Sequence, residues 1–186
     1  DRRYGSQPGT AARLHLSLAR PFYGRADFDT ARAEFARSDA LFRQAGEADS
    51  DDAVLGRLAL IHMNSVSGQP DRLEEAGRSL ETERKRLGAR SEHGKVGFAF
   101  AQAEGAYGYM ADLDLAERRF RRAVAIGNAD PDAASPTQLL KAKSSLVLVL
   151  MRLGRPQDAE PMGRAVIAES TRVRGADHPD TLVTRQ

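Results

Sequence analysis

Two short stretches decide the fold: "ADFDTARAEF", residues 26–35, and "ADLDLAERRF", residues 111–120. They coincide at Ala26/Ala111, Asp27/Asp112, Asp29/Asp114, Ala31/Ala116 and Phe35/Phe120. A looser copy, "GRPQDAEPM", covers residues 154–162. In each copy a small residue opens the stretch and an alanine follows five places on, at Ala31, Ala116 and Ala159. "PDRLEEA" supplies Ala76 in between, so successive alanines stand 45, 40 and 43 residues apart. Recurrence at this period marks stacked supersecondary units rather than one globule with a single centre.

The rest of the chain divides to the same rhythm. Apolar stretches of helical character alternate with breakers, and the second segment of each unit ends at a glycine: Gly46, Gly88, Gly127 and Gly175. A helix C-terminus favours glycine because it adopts positive φ cheaply. Ser50, Asp71, Ser91 and Ser135 stand ahead of segment starts as N-cap candidates. Pro21 falls inside the first segment and should kink that helix or end it early. The alanines mark where two antiparallel helices approach closely. Phe35, Leu80 and Phe120 then fill the groove toward the neighbouring unit, with Phe22, Tyr107 and Leu150 as counterparts on the first helices. The small residues of "GAYGYM" (105–110) allow tight helix contact, and Leu146–Leu150, apolar all round, reads as buried on both sides.

Bulk composition agrees with a helical core. Of 186 residues, 41% are hydrophobic and 29% charged, and aromatics are only 6%, so Ala and Leu dominate the apolar content. The net charge of +2 is carried by arginines interspersed with carboxylates, which is weak support for a nucleic-acid surface. The absence of cysteine excludes disulfides and thiolate metal sites. No apolar run is long enough to span a bilayer. The chain begins without Met and reads as an excerpt of a longer protein.

The segments "YGRADFDTARAEFARSDALF", "YMADLDLAERRFRRAVAI" and "LGRPQDAEPMGRAVIAES" resemble tetratricopeptide repeats, in the longer variant found in kinesin light chains and in C-terminal regions of bacterial regulators. In that variant the connector often reads Gly-x-x-His-Pro-Asp-Thr, and here Gly175, His178, Pro179, Asp180 and Thr181 repeat it. The resemblance implies an all-α fold, a right-handed superhelix (α-solenoid) of about four antiparallel helix pairs plus the start of a fifth. It implies one array over residues 1–186, with repeats near 8–46, 50–88, 91–127 and 134–175 and a fifth beginning at 178–186.

Chemistry is sparse. No phosphate-cradling glycine loop, nucleophile elbow or paired zinc-ligand histidines appear. His178 between Asp177 and Asp180 reads as a capping connector rather than a metal or acid–base site. No catalytic residue, metal or cofactor is expected. The most basic window holds Arg118, Arg119, Arg121 and Arg122, covering about two thirds of a helix circumference. It reads as a solvated outer face, with an acidic partner as the functional alternative. Polar positions on the first helices, Arg13, Arg57, Asn64, Gln102, Lys141 and Lys143, are the candidates for a partner-binding groove.

The expected function is a non-catalytic scaffold for a protein or peptide partner, with no direct nucleic-acid contact by this piece. By resemblance, the parent is a bacterial signalling protein. A CadC-like membrane-tethered transcriptional regulator with periplasmic repeats is favoured over a Ser/Thr kinase with a repeat tail. A self-association module, forming a homodimer, is the alternative.

Overall fold

The computed structural model describes residues 7–25 and 27–174. Among the described residues there are eight α-helices, one 3₁₀ turn and no strand. The connector at Gly175–Thr181 and the fifth repeat start at 178–186 lie outside the described residues. The chain divides into two compact units, Asp1–Ser79 and Leu80–Gln186.

In the first unit, α1 (Pro8–Gly24), α2 (Phe28–Gln44) and α3 (Asp51–Val66) pack together. Contacts between α1 and α2 descend along one helix as they ascend the other. The Ser38 hydroxyl donates to the Ala12 carbonyl at 2.8 Å, His15 Nδ1 lies 2.5 Å from Glu34 Oε2, and Tyr23 meets Phe28 at the turn. The pair is therefore antiparallel. Its core is Ala12, Leu16, Ala19, Ala31, Phe35 and Phe42, joined by Ala53 and Met63 of α3. Helix α1 runs three residues beyond Pro21, so the expected early stop is delayed to Gly24. Phe22 and Tyr23 of that last turn are partly buried against the core.

The second unit contains the end of α4 (Pro70–Leu87), the 3₁₀ turn (Gly88–Glu92), α5 (Gly94–Ala111), α6 (Leu113–Ala129), α7 (Pro136–Arg152) and α8 (Pro156–Arg174). Helices α5 and α6 are separated by Asp112 alone, whose carboxylate caps α6 by accepting from the amides of Asp114 and Leu115. So tight a turn forces the backbones together. A Cβ on Gly108 would stand 2.7 Å from the Ala116 amide nitrogen, and one on Gly105 would strike the Phe120 ring at 2.8 Å. Ala31, Ala76, Ala116 and Ala159 are all buried, as the alanine pattern requires. Buried residues gather in clusters along the unit. One gathers Phe98, Ala101, Ala123 and Ala142, and another gathers Ala116, Phe120, Leu146, Val149, Leu150 and Ala159.

Caps and glycines differ from expectation in instructive places. Ser50 caps α3 and Ser135 forms a full capping box with Gln138. Asp71, however, lies inside the first turn of α4. Ser91 sits in the 3₁₀ turn and donates to the Gly88 carbonyl instead of capping α5. Asp27 takes the cap of α2, accepting from the Thr30 amide. Gly46 and Gly88 adopt positive φ at helix ends. Gly127 does not; it lies within α6, where a Cβ would meet Leu139 Cδ1 at 2.9 Å and Phe98 Cε2 at 3.3 Å. Its role is close packing. The run Leu146–Leu150 is buried on one side only, because Leu148 is 57% exposed.

These contacts set the sign of three substitutions. Helix propensity alone makes Gly→Ala favourable by about 1 kcal/mol. At Gly24, where a Cβ meets nothing within 4 Å, Gly24→Ala should be neutral or stabilising. At Gly108 the collision is with backbone, so Gly108→Ala should destabilise by about 1–3 kcal/mol, as should Ala116→Leu through overpacking. Urea unfolding midpoints of the three variants check the pattern.

Candidate partner-binding face

Exposed side chains line one side of α7 and, less continuously, of α5. On α7, Thr137, Lys141, Ser144, Leu148 and Met151 follow one another at three- and four-residue steps, so they align along one side. Leu148 is 57% and Met151 54% exposed. On α5 the corresponding row is Lys95, Ala99, Gln102, Ala106 and Met110, in which Lys95 and Met110 are exposed, Ala99 and Gln102 half-buried and Ala106 buried. Arg152 joins the last turns of these two helices. It donates to the Tyr109 carbonyl at 3.0 Å and its guanidinium lies 4.5 Å over the Tyr109 ring. On α1 of the first unit, Leu14 and Leu18 are exposed one turn apart.

The polar groove candidates separate on this geometry. Gln102 and Lys141 lie on the open rows of α5 and α7. Lys143 points sideways, where its ammonium meets Glu169 of α8 at 2.7 Å. Asn64 is only 3% exposed and accepts from Arg32 of α2, so it faces the neighbouring helix rather than a groove. Arg57 turns the same way, bonding the Asp39 carboxylate at 3.2 Å and the Ala48 carbonyl at 2.9 Å. Arg13 is exposed at the edge of α1 but is engaged by Asp52 at 3.0 Å and Glu47 at 2.6 Å.

The basic window of α6 is likewise taken up by carboxylates. Arg121 pairs with Glu117 at 2.8 Å, and Arg122 bonds Glu92 through both its carboxylate and its carbonyl. Arg119 turns inward to Glu104. Arg118 is exposed. The four cations therefore do not form one free patch.

Glu104 is the residue that sequence reading passed over. It is 2% exposed, in the middle of α5, between Arg84 and Arg119. Arg84 donates a short hydrogen bond to it, whereas Arg119 Nε lies 3.0 Å from Oε2 without its N–H pointing there, an ion pair rather than a hydrogen bond. Burial pushes the Glu104 carboxyl above its ordinary range, against the opposing pull of Arg119 and Arg84. Glu117 is the contrasting case. Burial would raise it too, but the hydrogen bond from Arg121 and the charges of Arg155 and Arg121 outweigh that and hold it low. Arg155, at the turn before α8, reaches both Glu117 oxygens, at 3.0 and 2.8 Å. Among the described residues no three His, Asp or Glu side chains group to hold a metal, and no helix is long and apolar enough to cross a membrane.

Residues 139–180, spanning α7, the turn and α8, match the family model of the tetratricopeptide repeat. The chain carries a tetratricopeptide repeat. Its fold is that of a tetratricopeptide-repeat protein. BtubC (BKLC) from P. vanneervenii, a solved structure, is similar over 93% of this chain and 68% of its own, with a TM-score of 0.65 at 21% identity. No curated protein matches the chain significantly. In tetratricopeptide arrays neighbouring hairpins shield one another's apolar sides and leave an extended surface for partners.

The two glutamates predict opposite pH behaviour. Glu104 binds its proton more tightly folded than unfolded, so its cost is present at neutral pH and is relieved as pH falls through its folded value. Glu117 binds its proton less tightly folded, so its contribution is present above the ordinary carboxylate range and is lost as pH falls through its depressed value. Relative to Glu104→Gln, the native chain should therefore gain stability on acidification from neutral pH. Relative to Glu117→Gln it should lose stability. Urea midpoints at a series of pH values test both signs.

Proposed function

We propose that this chain is a non-catalytic scaffold that holds a protein or peptide partner on the open faces of its first helices. One observation carries the reading. The large apolar side chains exposed among the described residues, Leu14, Leu18, Val66, Met110, Leu148 and Met151, all lie on α1, α3, α5 or α7 and none on a second helix. Isolated exposed leucines are ordinary, but confinement to one class of helix is what a peptide-holding array would display. The ion pairs that engage Arg119, Arg121 and Arg122 support a reading without direct nucleic-acid contact.

Within that role, the chain is proposed to be the sensory or interaction region of a bacterial signalling protein. A CadC-like regulator with its repeats in the periplasm is preferred over a kinase tail. The support is the likeness of "LHLSLARPFYGRADFDTARAEF", residues 14–35, to such sensors. A reading frame joining these repeats to a winged helix and a membrane span would bear this out; a kinase signature would replace it. Self-association is the competing use of the same surfaces, and sedimentation over a range of concentrations separates the two.

Peptide display on the immobilised chain tests the scaffold itself. Enriched peptides should bind roughly tenfold more weakly to Leu14→Ser/Leu18→Ser or to Leu148→Ser/Met151→Ser, and equally well to an Arg78→Ser control. Peptides indifferent to both double variants, or no enrichment at all, would sink the assignment.

A further inference from the structure

We infer that the partner held by α5 and α7 is an acidic amphipathic segment, with apolar side chains against Leu148, Met151 and Met110 and carboxylates against Lys95, Lys141 and Arg152. The inference rests on the scaffold reading and adds the chemical class of what is bound.

Charge distribution within the second unit carries the argument. Helix α7 holds Lys141, Lys143 and Arg152 and no carboxylate at all. Helix α5 holds Lys95 and one carboxylate, Glu104, which is buried and already bound by Arg84 and Arg119. The open rows of both helices thus carry no negative charge. The second helices differ. Helices α6 and α8 carry Asp114, Glu117, Asp158, Glu160 and Glu169. Of their arginines, Arg119, Arg121, Arg122 and Arg164 are engaged by these groups or by nearby carboxylates, while Arg118 and Arg172 are exposed. Lys143 shows the rule from the other side, since the one α7 cation that faces α8 is the one that finds a carboxylate there. Lys95, Lys141 and Arg152 are exposed, and Arg152 is committed only to a carbonyl and a ring, which leave its charge uncompensated.

The apolar part has its own geometry. Leu148 and Met151 are one turn apart, and the Arg152–Tyr109 contact links the last turn of α7 to the last turn of α5, the turn that carries the exposed Met110. Methionine adapts its shape to what it meets, so Met151 beside Leu148 suits leucine- or phenylalanine-sized anchors, with the exposed Met110 at the end of α5 as a further apolar side chain. Lys141 lies nearly three turns before Met151 along the same row. A segment whose apolar residues recur at three- and four-residue steps, with carboxylates outside them, matches both features. A basic segment would meet three uncompensated cations instead.

The test uses the full 186-residue chain and fluorescein-labelled synthetic helical peptides with leucines at three- and four-residue steps. One carries glutamate at the remaining positions and the other lysine. In fluorescence anisotropy at low salt the glutamate peptide should bind at least roughly tenfold more tightly than the lysine peptide. Its affinity should fall as salt screens the charges, fall roughly tenfold in Leu148→Ala/Met151→Ala, and fall in Lys141→Gln with circular dichroism unchanged. The salt titration needs no variant, so the outcome stands even where a substitution unfolds the chain. Equal binding of the two peptides, salt-independent binding, or preference for vesicles of anionic phospholipid over the glutamate peptide would overturn the inference. Neutral or basic peptides enriched by display and lost in Leu148→Ser/Met151→Ser would overturn it while leaving the scaffold reading intact. Absence of any enriched peptide would remove both.

Discussion

The closest approach of α5 to α6 governs the rest of the second unit. Where Gly108 faces the Ala116 backbone there is no room for even one methyl group. With the backbones that near, the Phe120 ring must lie over Gly105, and it does so within the cluster shared with Leu146, Val149 and Leu150 of α7. Small residues thus set the distance within a hairpin, and large ones placed a turn later bury against the next hairpin. Neither half suffices alone, since a single hairpin leaves one apolar side uncovered. The same division appears in the first unit, where Ala12, Ala19 and Ala31 share a core with Phe35 and Phe42.

Charge is organised around the same frame. An arginine-rich helix such as α6 would repel itself if its guanidinium groups were left alone. Glu92, Glu104 and Glu117 each engage one or more of them and in doing so tie α6 to α5's preceding turn, to α5 itself and to the start of α8. Burial of a carboxylate is costly, and the two arginines at Glu104 offset that cost only in part, which is why its carboxyl is raised while that of Glu117 is lowered. On α5 and α7 the exposed Lys95, Lys141 and Arg152 have no carboxylate on their own helices to match them, since Glu104 is buried between two arginines.

Much of the fold was legible because it is written in short-range terms. The alanine spacing located four second helices, and Ser50 and Ser135 announced two helix starts. Errors arose where a local signal had two physical uses. Gly127 looked like a helix stop, yet it spares space for Leu139 and Phe98. Ser91 looked like a cap, yet its hydroxyl serves the 3₁₀ turn. The candidate site was less legible. Residue type placed Arg57, Asn64 and Lys143 in a groove, but rotation about the helix axis decides that, and it sends them toward α2 and α8. Counting the row through Lys141 in three- and four-residue steps would have found Leu148 and Met151. Glu104 had a signal as well, as the only charged residue after Lys95 in the apolar run of α5.

Gly127 makes the hairpins unequal. Its missing side chain is a recess at the end of α6, and Leu139 of the following hairpin occupies it together with Phe98 of α5. Three consecutive helices are thereby keyed to one another at a single point. This joint does not accept any other hairpin freely, because the recess at Gly127 fits the Leu139 of the successor that fills it. Order along the chain is therefore inherited with the contacts, and duplication of one hairpin would create a joint that has to be re-adapted before it could close.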